Sequence, residues 1–189
     1  MNSAVKIIKL VLSKKEERFT IKKIAESLKI NYRIAYEQAQ KLEKEGLLKI
    51  TKTGNSNICE FSGKFNEKIF EAEYSRRKDI FKNKDLMVLH SRLVELKFPF
   101  IALLFGSHAK GTANRHSDID ILTVGGSQKE IQAALDLLPD KIHLTAIGYE
   151  DFISMVKSKE FTVVSEAIKN NIIVIGIEEY YRVMDNANR

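Results

Sequence analysis

Between Phe100 and Val124 the chain reads Phe-Ile-Ala-Leu-Leu-Phe, then Gly106-Ser107-His108-Ala109-Lys110-Gly111-Thr112-Ala113-Asn114-Arg115-His116-Ser117, then Asp118-Ile119-Asp120-Ile121-Leu122-Thr123-Val124. Every residue from Phe100 to Phe105 is apolar, which predicts a strand covered on both faces. The Gly-Ser pair after it predicts a tight turn into a short helix. A polar loop follows, and a second strand opens on two carboxylates. Strand, turn, helix, loop and strand in so short a span make this stretch the centre of an α/β unit.

Each part has a chemical consequence. Gly106 lets the backbone turn and approach a ligand with no Cβ in the way. Ser107 offers a hydroxyl and a backbone N–H at a helix start, where free amides and the helix dipole favour phosphate. Alternation along the second strand puts Asp118 and Asp120 on one face and turns Ile119 and Ile121 into the core. Two carboxylates held close repel unless a cation lies between them, and oxygen ligands of this kind suit Mg²⁺ shared with substrate phosphates. Gly106 and Gly111 also have the spacing of a P-loop, but Thr112 stands where that motif requires lysine, which excludes a Walker-type ATPase.

Residues Gly106, Ser107, Ala109, Gly111, Ser117, Asp118, Ile119 and Asp120 together resemble the signature of the polymerase-β-like nucleotidyltransferase superfamily. The likeness is to its minimal bacterial and archaeal members, whose motif often reads Gly-Ser-x-Ala-x-Gly with Ser-Asp-Ile-Asp. The resemblance implies an α/β domain with a mixed sheet. It also implies Mg²⁺-dependent transfer of a nucleoside monophosphate from ATP or another nucleoside triphosphate to a hydroxyl acceptor, with release of pyrophosphate. Asp118 and Asp120 would then be the catalytic pair and the Mg²⁺ ligands. Gly106 and Ser107 would cradle the terminal phosphates, with Lys110 and Arg115 as further phosphate contacts. In relatives the acceptor is a tyrosine of a partner toxin, a small molecule or an RNA end.

Active members of that family usually carry a third carboxylate on a following strand, where it completes the metal site and can serve as general base. Here that strand is Ile142 to Ile147, with Ile142, Leu144 and Ala146 on one face and His143, Thr145 and Ile147 on the other. The polar slots hold His143 and Thr145, and neither is a carboxylate. His143 can accept a proton; Glu150 and Asp151 fall at the start of the next helix. Nucleotide binding and turnover are therefore separate questions for this chain. The run from Glu166 through Gly176 to Tyr180 resembles the closing helix, strand and acidic helix start of minimal nucleotidyltransferases, which extends the likeness over about half of the chain.

The length of 189 residues suits one average domain or two small ones, and the position of the motif favours two. Apolar runs are far shorter than a membrane span, and Lys6 and Lys9 interrupt the candidate for a signal peptide, so the expectation is a cytoplasmic protein with no membrane partner. A single cysteine, Cys59, with no Cys-x-x-Cys pair excludes an internal disulfide and a structural zinc site. The net charge of +6 is uneven: residues 1–65 carry 14 Lys and Arg against 7 Asp and Glu, or +7, and the remainder is at −1. Such asymmetry points to an N-terminal segment that meets a polyanion.

In that segment Val5, Ile8, Val11 and Leu12 recur at helical spacing. A short helix from Ile21 to Leu28 takes Thr20 as N-cap. A longer one from Tyr32 to Glu45 takes Asn31 and stops at Gly46. Leu47 to Thr53 and Asn57 to Phe61 alternate as strands about Gly54-Asn55-Ser56, a hairpin turn composition. Helix, helix, turn, helix and hairpin, with phrases such as Thr-Ile-Lys-Lys-Ile-Ala-Glu-Ser-Leu and Lys-Leu-Glu-Lys-Glu-Gly-Leu-Leu, resemble a winged helix-turn-helix. That resemblance makes Tyr32 to Glu45 the recognition helix. Its apolar side is Ile34, Ala35, Ala39 and Leu42. The resemblance implies that Arg33, Tyr36 and Gln40 would face DNA and that Lys41, Lys44 and the wing residue Lys52 would neutralise phosphates. Glu37 lies in the middle of the stripe and repels phosphate, so a helix face that contacts protein or a second copy stays open.

The expected divisions are a winged helix-turn-helix at 1–65, a helical connector at 66–84 and a nucleotidyltransferase domain at 85–189. The connector carries a charged amphipathic helix from Glu67 to Phe81, with Arg76, Arg77 and Lys78 as a solvated basic cluster. A helix from Asp85, its N-cap, to Lys97 precedes the first strand, and another from Gln128 to Leu138 is closed by Pro139. Two functions follow: a transferase joined to a DNA-binding domain, antitoxin-like or regulatory, or an inactive regulator that uses the same fold to sense nucleotide or hold a partner. A homodimer fits either.

Overall fold

The computed structural model describes residues 1–138, 141–158 and 160–188, so the expected helix stop at Pro139 lies outside the described residues. The chain divides into two units, Met1–Ser75 and Arg76–Arg189.

The first unit opens with α1 (Ser3–Ser13), β1 (Phe19–Thr20), α2 (Ile21–Leu28) and α3 (Tyr32–Lys44). β2 (Leu48–Thr53) and β3 (Ser56–Phe61) form a hairpin, and α4 (Glu67–Ile80) begins in this unit. The helices start where side chains satisfy their free amides. Asn2 Oδ1 accepts from Val5 N–H at 3.0 Å, Thr20 Oγ1 from Lys23 N–H at 3.1 Å and Asn31 Oδ1 from Arg33 N–H at 2.8 Å. The sheet is antiparallel in the order β1-β3-β2. Its two-residue strand β1 is an addition to the sequence expectation, made because Phe19 pairs with Cys59 and is buried. The core gathers Ile7, Ile8, Leu12, Phe19, Ile24 and Leu42. Burial, with nearby Glu43 adding to it, pushes the Cys59 thiol up to about 11. The expected apolar side of α3 needs one correction: Ala35, Ala39 and Leu42 are buried, but Ile34 is 44% exposed, one step around the helix from the buried seam.

The second unit begins within α4 and continues through α5 (Lys84–Val94), β4 (Ile101–Phe105), α6 (Gly106–Lys110), β5 (Ile119–Val124), α7 (Gln128–Leu135) and β6 (Ile142–Ile147). It ends with α8 (Tyr149–Ser158), α9 (Val163–Lys169), β7 (Ile172–Ile175) and α10 (Ile177–Asn188). The sheet order is β6-β5-β4-β7; β4 is antiparallel to both β5 and β7, and β6 is parallel to β5. Leu86, Leu89 and Leu93 of α5 and Ile131 and Leu135 of α7 pack on Phe100, Ala102, Leu104, Ile119 and Ile121. The alternate residues Ile101, Leu103 and Phe105 are buried as well, on the face where α9 and α10 meet β4. A strand apolar at every position is the consequence.

Two local expectations change. α5 starts one residue earlier, with Asn83 as N-cap accepting from Asp85 N–H at 2.8 Å and Leu86 N–H at 3.4 Å. Arg76 and Arg77 are not a solvated cluster. Arg76 is 5% exposed and donates to the Asn171 carbonyl at 2.5 Å, and Arg77 donates to the Val174 carbonyl at 3.1 Å. β7 is an edge strand, and the two guanidinium groups pair carbonyls at and beside it that no neighbouring strand would reach.

Leu42 is fully buried between the helices of the first unit. Leu42→Ala is expected to destabilise that unit by about 2–5 kcal/mol, read as a lower urea midpoint with α1–α3 losing hydrogen-exchange protection first; an unchanged midpoint would place Leu42 outside the core.

Candidate active site

The register of three strands builds the site. Phe105, the last residue of β4, is the partner of Asp120 on β5. The next residue, Gly106, turns the chain with φ of +67°, in the left-handed region that a side chain resists. A Cβ on Gly106 would come within 2.1 Å of Asp120 Oδ2, so the carboxylate rests against the bare Cα of the turn. Ser107 follows in α6, its carbonyl accepting from Thr112 N–H at 3.0 Å as the loop closes behind the helix. α6 spans only Gly106–Lys110, too short for aligned peptide dipoles to sum to much. What this turn offers an anion is a few amides and the Ser107 hydroxyl.

Asp118 stands just before β5, and strand alternation sets it on the Asp120 face, away from the buried Ile119 and Ile121. β6 lies beside β5 with His143 opposite Asp120, and the Lys141 carbonyl accepts from Ile119 N–H at 2.9 Å. This parallel register brings two nitrogen-bearing side chains to the carboxylates. Lys141 Nζ lies 3.1 Å from Asp118 Oδ2. His143 Nε2 lies 3.6 Å from the same oxygen, and its Nδ1 lies 3.6 Å from Asp120 Oδ1. One imidazole therefore reaches both acids. The two carboxylates keep side-chain exposures of 30% and 28%, which leaves them open to a ligand.

The other expected phosphate contacts are placed elsewhere. Lys110 Nζ lies 3.4 Å from Glu166 Oε1 on α9. Arg115 lines a cavity of about 480 Å³ with Asn83, Asp85, His108 and Ile119, and neither Asp118 nor Asp120 borders it. Glu150 and Asp151 sit in the first turn of α8, as their position in the sequence predicts. Lys141 escaped the sequence reading because only the parallel pairing of β6 with β5 carries it to Asp118, 23 positions away in the chain. In the first unit Arg33, Tyr36, Lys41, Lys44 and Lys52 are exposed and Gln40 is half-buried. Arg33 Nε donates to Glu37 Oε1 at 2.8 Å, and Tyr36 stacks on Tyr32 with ring centres 6.3 Å apart.

Among the described residues no three His, Cys, Asp or Glu side chains already surround a common point as a metal site would. The donors present do fit a divalent cation of the kind that takes one or two carboxylates and completes its shell with water and phosphate oxygens. The cradle at Gly106 is the structural sign of that fit: it brings the Asp120 carboxylate directly onto the turn where phosphates would lie.

Residues 97–183 match the family model described as "Nucleotidyltransferase domain". The matched span runs from the loop before β4 into α10 and contains Gly106, Ser107, Asp118, Asp120, Lys141 and His143. This part of the chain is thus similar to nucleotidyltransferase domains, and its mixed four-stranded sheet fits such a fold. No curated protein and no solved structure matches the chain. Among the described residues no helix is long and apolar enough to cross a membrane.

Gly106→Ala is expected to push the Asp120 carboxylate from the turn and to weaken binding of a fluorescent nucleoside triphosphate analogue by about tenfold or more, since loss of a ligand's support acts on that scale. Circular dichroism should show the fold retained. Affinity equal to wild type would mean that the turn and the acid act independently.

Proposed function

We propose that the second unit is a nucleotidyltransferase, moving a nucleoside monophosphate from ATP or another nucleoside triphosphate to a hydroxyl acceptor. The observation that carries this reading is the seating of the Asp120 carboxylate on the bare Cα of Gly106, next to Ser107. It joins the two halves of the motif, phosphate turn and acid pair, in one place.

In this reading the amides of the turn and the Ser107 hydroxyl hold the terminal phosphates, and the absent Cβ lets the backbone approach them. Asp118 and Asp120 hold Mg²⁺, which when bound neutralises charge on the reacting phosphates and orients them for in-line attack. Lys141, now on Asp118, is within a side-chain swing of any phosphate bound there and supplies positive charge as pyrophosphate leaves. The exposed edge at β6 leaves room for the acceptor, which is a protein side chain such as a tyrosine of a toxin-like partner, a small molecule or an RNA end.

For the first unit, three helices followed by a hairpin support a winged helix-turn-helix that binds DNA through α3 and the β2–β3 wing. Arg33, Tyr36, Gln40, Lys41, Lys44 and Lys52 are its contacts, and Arg33 must exchange Glu37 for a base or phosphate. α4 is the connector. The whole is an antitoxin-like or regulatory protein of the cytoplasm, active as a homodimer on a two-fold site. A second reading has its own support: His143, not a carboxylate, stands beside Asp118 and Asp120, which favours a regulator that binds nucleotide without turning it over.

One assay separates the two. Purified protein is incubated with α-labelled ATP, Mg²⁺ and candidate acceptors, beside an Asp118→Ala, Asp120→Ala variant. Transfer of label by wild type, falling on the order of 10³-fold in the variant, is the expected result for loss of several kcal/mol of charge stabilisation. Nucleotide retained with no labelled acceptor would establish the sensor instead.

DNA binding by the full chain should weaken steeply with salt. Lys44→Ala should lower the slope of log affinity against log salt by about 1, the share of one phosphate contact. A slope unchanged by Lys44→Ala and Lys52→Ala together would remove α3 and the wing from the interface.

A further inference from the structure

Along α4 the side chains sort by face. Ile69, Ala72, Glu73 and Arg76 are buried. On the opposite side, at three- and four-residue steps, stand Glu67, Phe70, Glu71, Tyr74 and Lys78, all of them exposed, with Phe70 at 39% and Tyr74 at 48%. The two rings stack with centres 6.4 Å apart and planes 12° from parallel. That stack explains why they touch each other within the helix, but it leaves their outer faces in water. Acidic residues hold the N-terminal part of the stripe and Lys78 holds its C-terminal end. Among the described residues neither Glu71 nor Lys78 has an ion-pair partner. An aromatic centre flanked by opposite, uncompensated charges is a surface that matches its own reverse.

We propose that this face of α4 is where two copies of the chain meet, their α4 helices packed antiparallel about a two-fold axis at Tyr74. The proposal deepens the homodimer reading given above and rests on it. A two-fold interface is self-complementary, so each contact across it is made twice. About an axis at Tyr74, Phe70 of one copy lies opposite Lys78 of the other, and Glu71 falls one place from it. Each Lys78 ammonium therefore meets an aromatic face and a carboxylate, while Tyr74 meets its own counterpart in the middle. Parallel helices in register would set Glu71 against Glu71 and Lys78 against Lys78, so the distribution of charge selects the antiparallel pair. It also argues against DNA on this face, because Glu67 and Glu71 repel a phosphate backbone.

The test is sedimentation of the full chain over a range of concentrations. Wild type is expected to dimerise reversibly. Glu71→Lys and Lys78→Glu each set like charges face to face and are expected to raise the dimer dissociation constant by about tenfold or more. The two changes together are expected to return it to within about threefold of wild type, because the pair is remade with its signs reversed. Phe70→Ser with Tyr74→Ser is expected to leave only monomer, since it removes the aromatic centre of the contact. All four positions are exposed, so the variants are expected to fold, and circular dichroism verifies it. A dimer held equally well by wild type and by every variant, or a double charge variant no tighter than the single ones, would overturn this surface and leave the homodimer standing. Wild type that sediments as a monomer at every concentration would overturn both.

Discussion

Two negative charges on one face of one strand are the constraint around which the second unit is arranged. Left alone, Asp118 and Asp120 repel each other. The fold answers with position and with charge. Strand pairing places Asp120 over a residue without a side chain, and the parallel neighbour β6 delivers Lys141 and His143 to the same two carboxylates. The acids remain partly open to solvent, so the compensation by Lys141 is that of an exposed pair, modest and easily exchanged. The proposed metal and polyphosphate would have only this exposed pair to displace.

The rest of the unit explains why that geometry holds. β4 is buried on both faces, with α5 and α7 against one and α9 and α10 against the other, and its end at Phe105 is fixed by pairing with Asp120. A strand clamped this way is held by packing on both faces and by its pairing with β5 and β7. Gly106 is therefore held where its missing Cβ matters. The far edge of the sheet is held differently, by Arg76 and Arg77 reaching carbonyls at Asn171 and Val174. A basic pair that reads as surface charge turns out to be part of the frame.

The first unit shows the opposite balance. Its core is ordinary, but α3 leaves Tyr32, Ile34 and Tyr36 exposed beside Arg33 and Lys44. Aromatic, aliphatic and basic side chains together on one helix are the surface on which the proposed DNA binding rests. Glu37 holds Arg33 at 2.8 Å in an exposed pair of modest strength, which the proposed DNA contact would have to displace.

Much of this was legible in the chain itself. The apolar run Ile101–Phe105, the Gly106-Ser107 turn and the alternation at Asp118 and Asp120 gave the centre of the second unit, and Thr20 and Asn31 marked helix starts where they occur. These features are local: periodicity, caps and turn residues act over a few positions, so sequence determines them directly. What only tertiary structure decided lies at longer range. The two-residue strand β1, the burial of Arg76, the exposure of Ile34 and the diversion of Lys110 to Glu166 depend on which elements become neighbours. So does the arrival of Lys141 and His143 at the acid pair, because a parallel register joins residues that no local rule connects. The sequence by itself determined where the carboxylates and the turn would be made; the sheet decided which side chains would share them, since the pairing of β5 with β6 is settled by the packing of the whole unit.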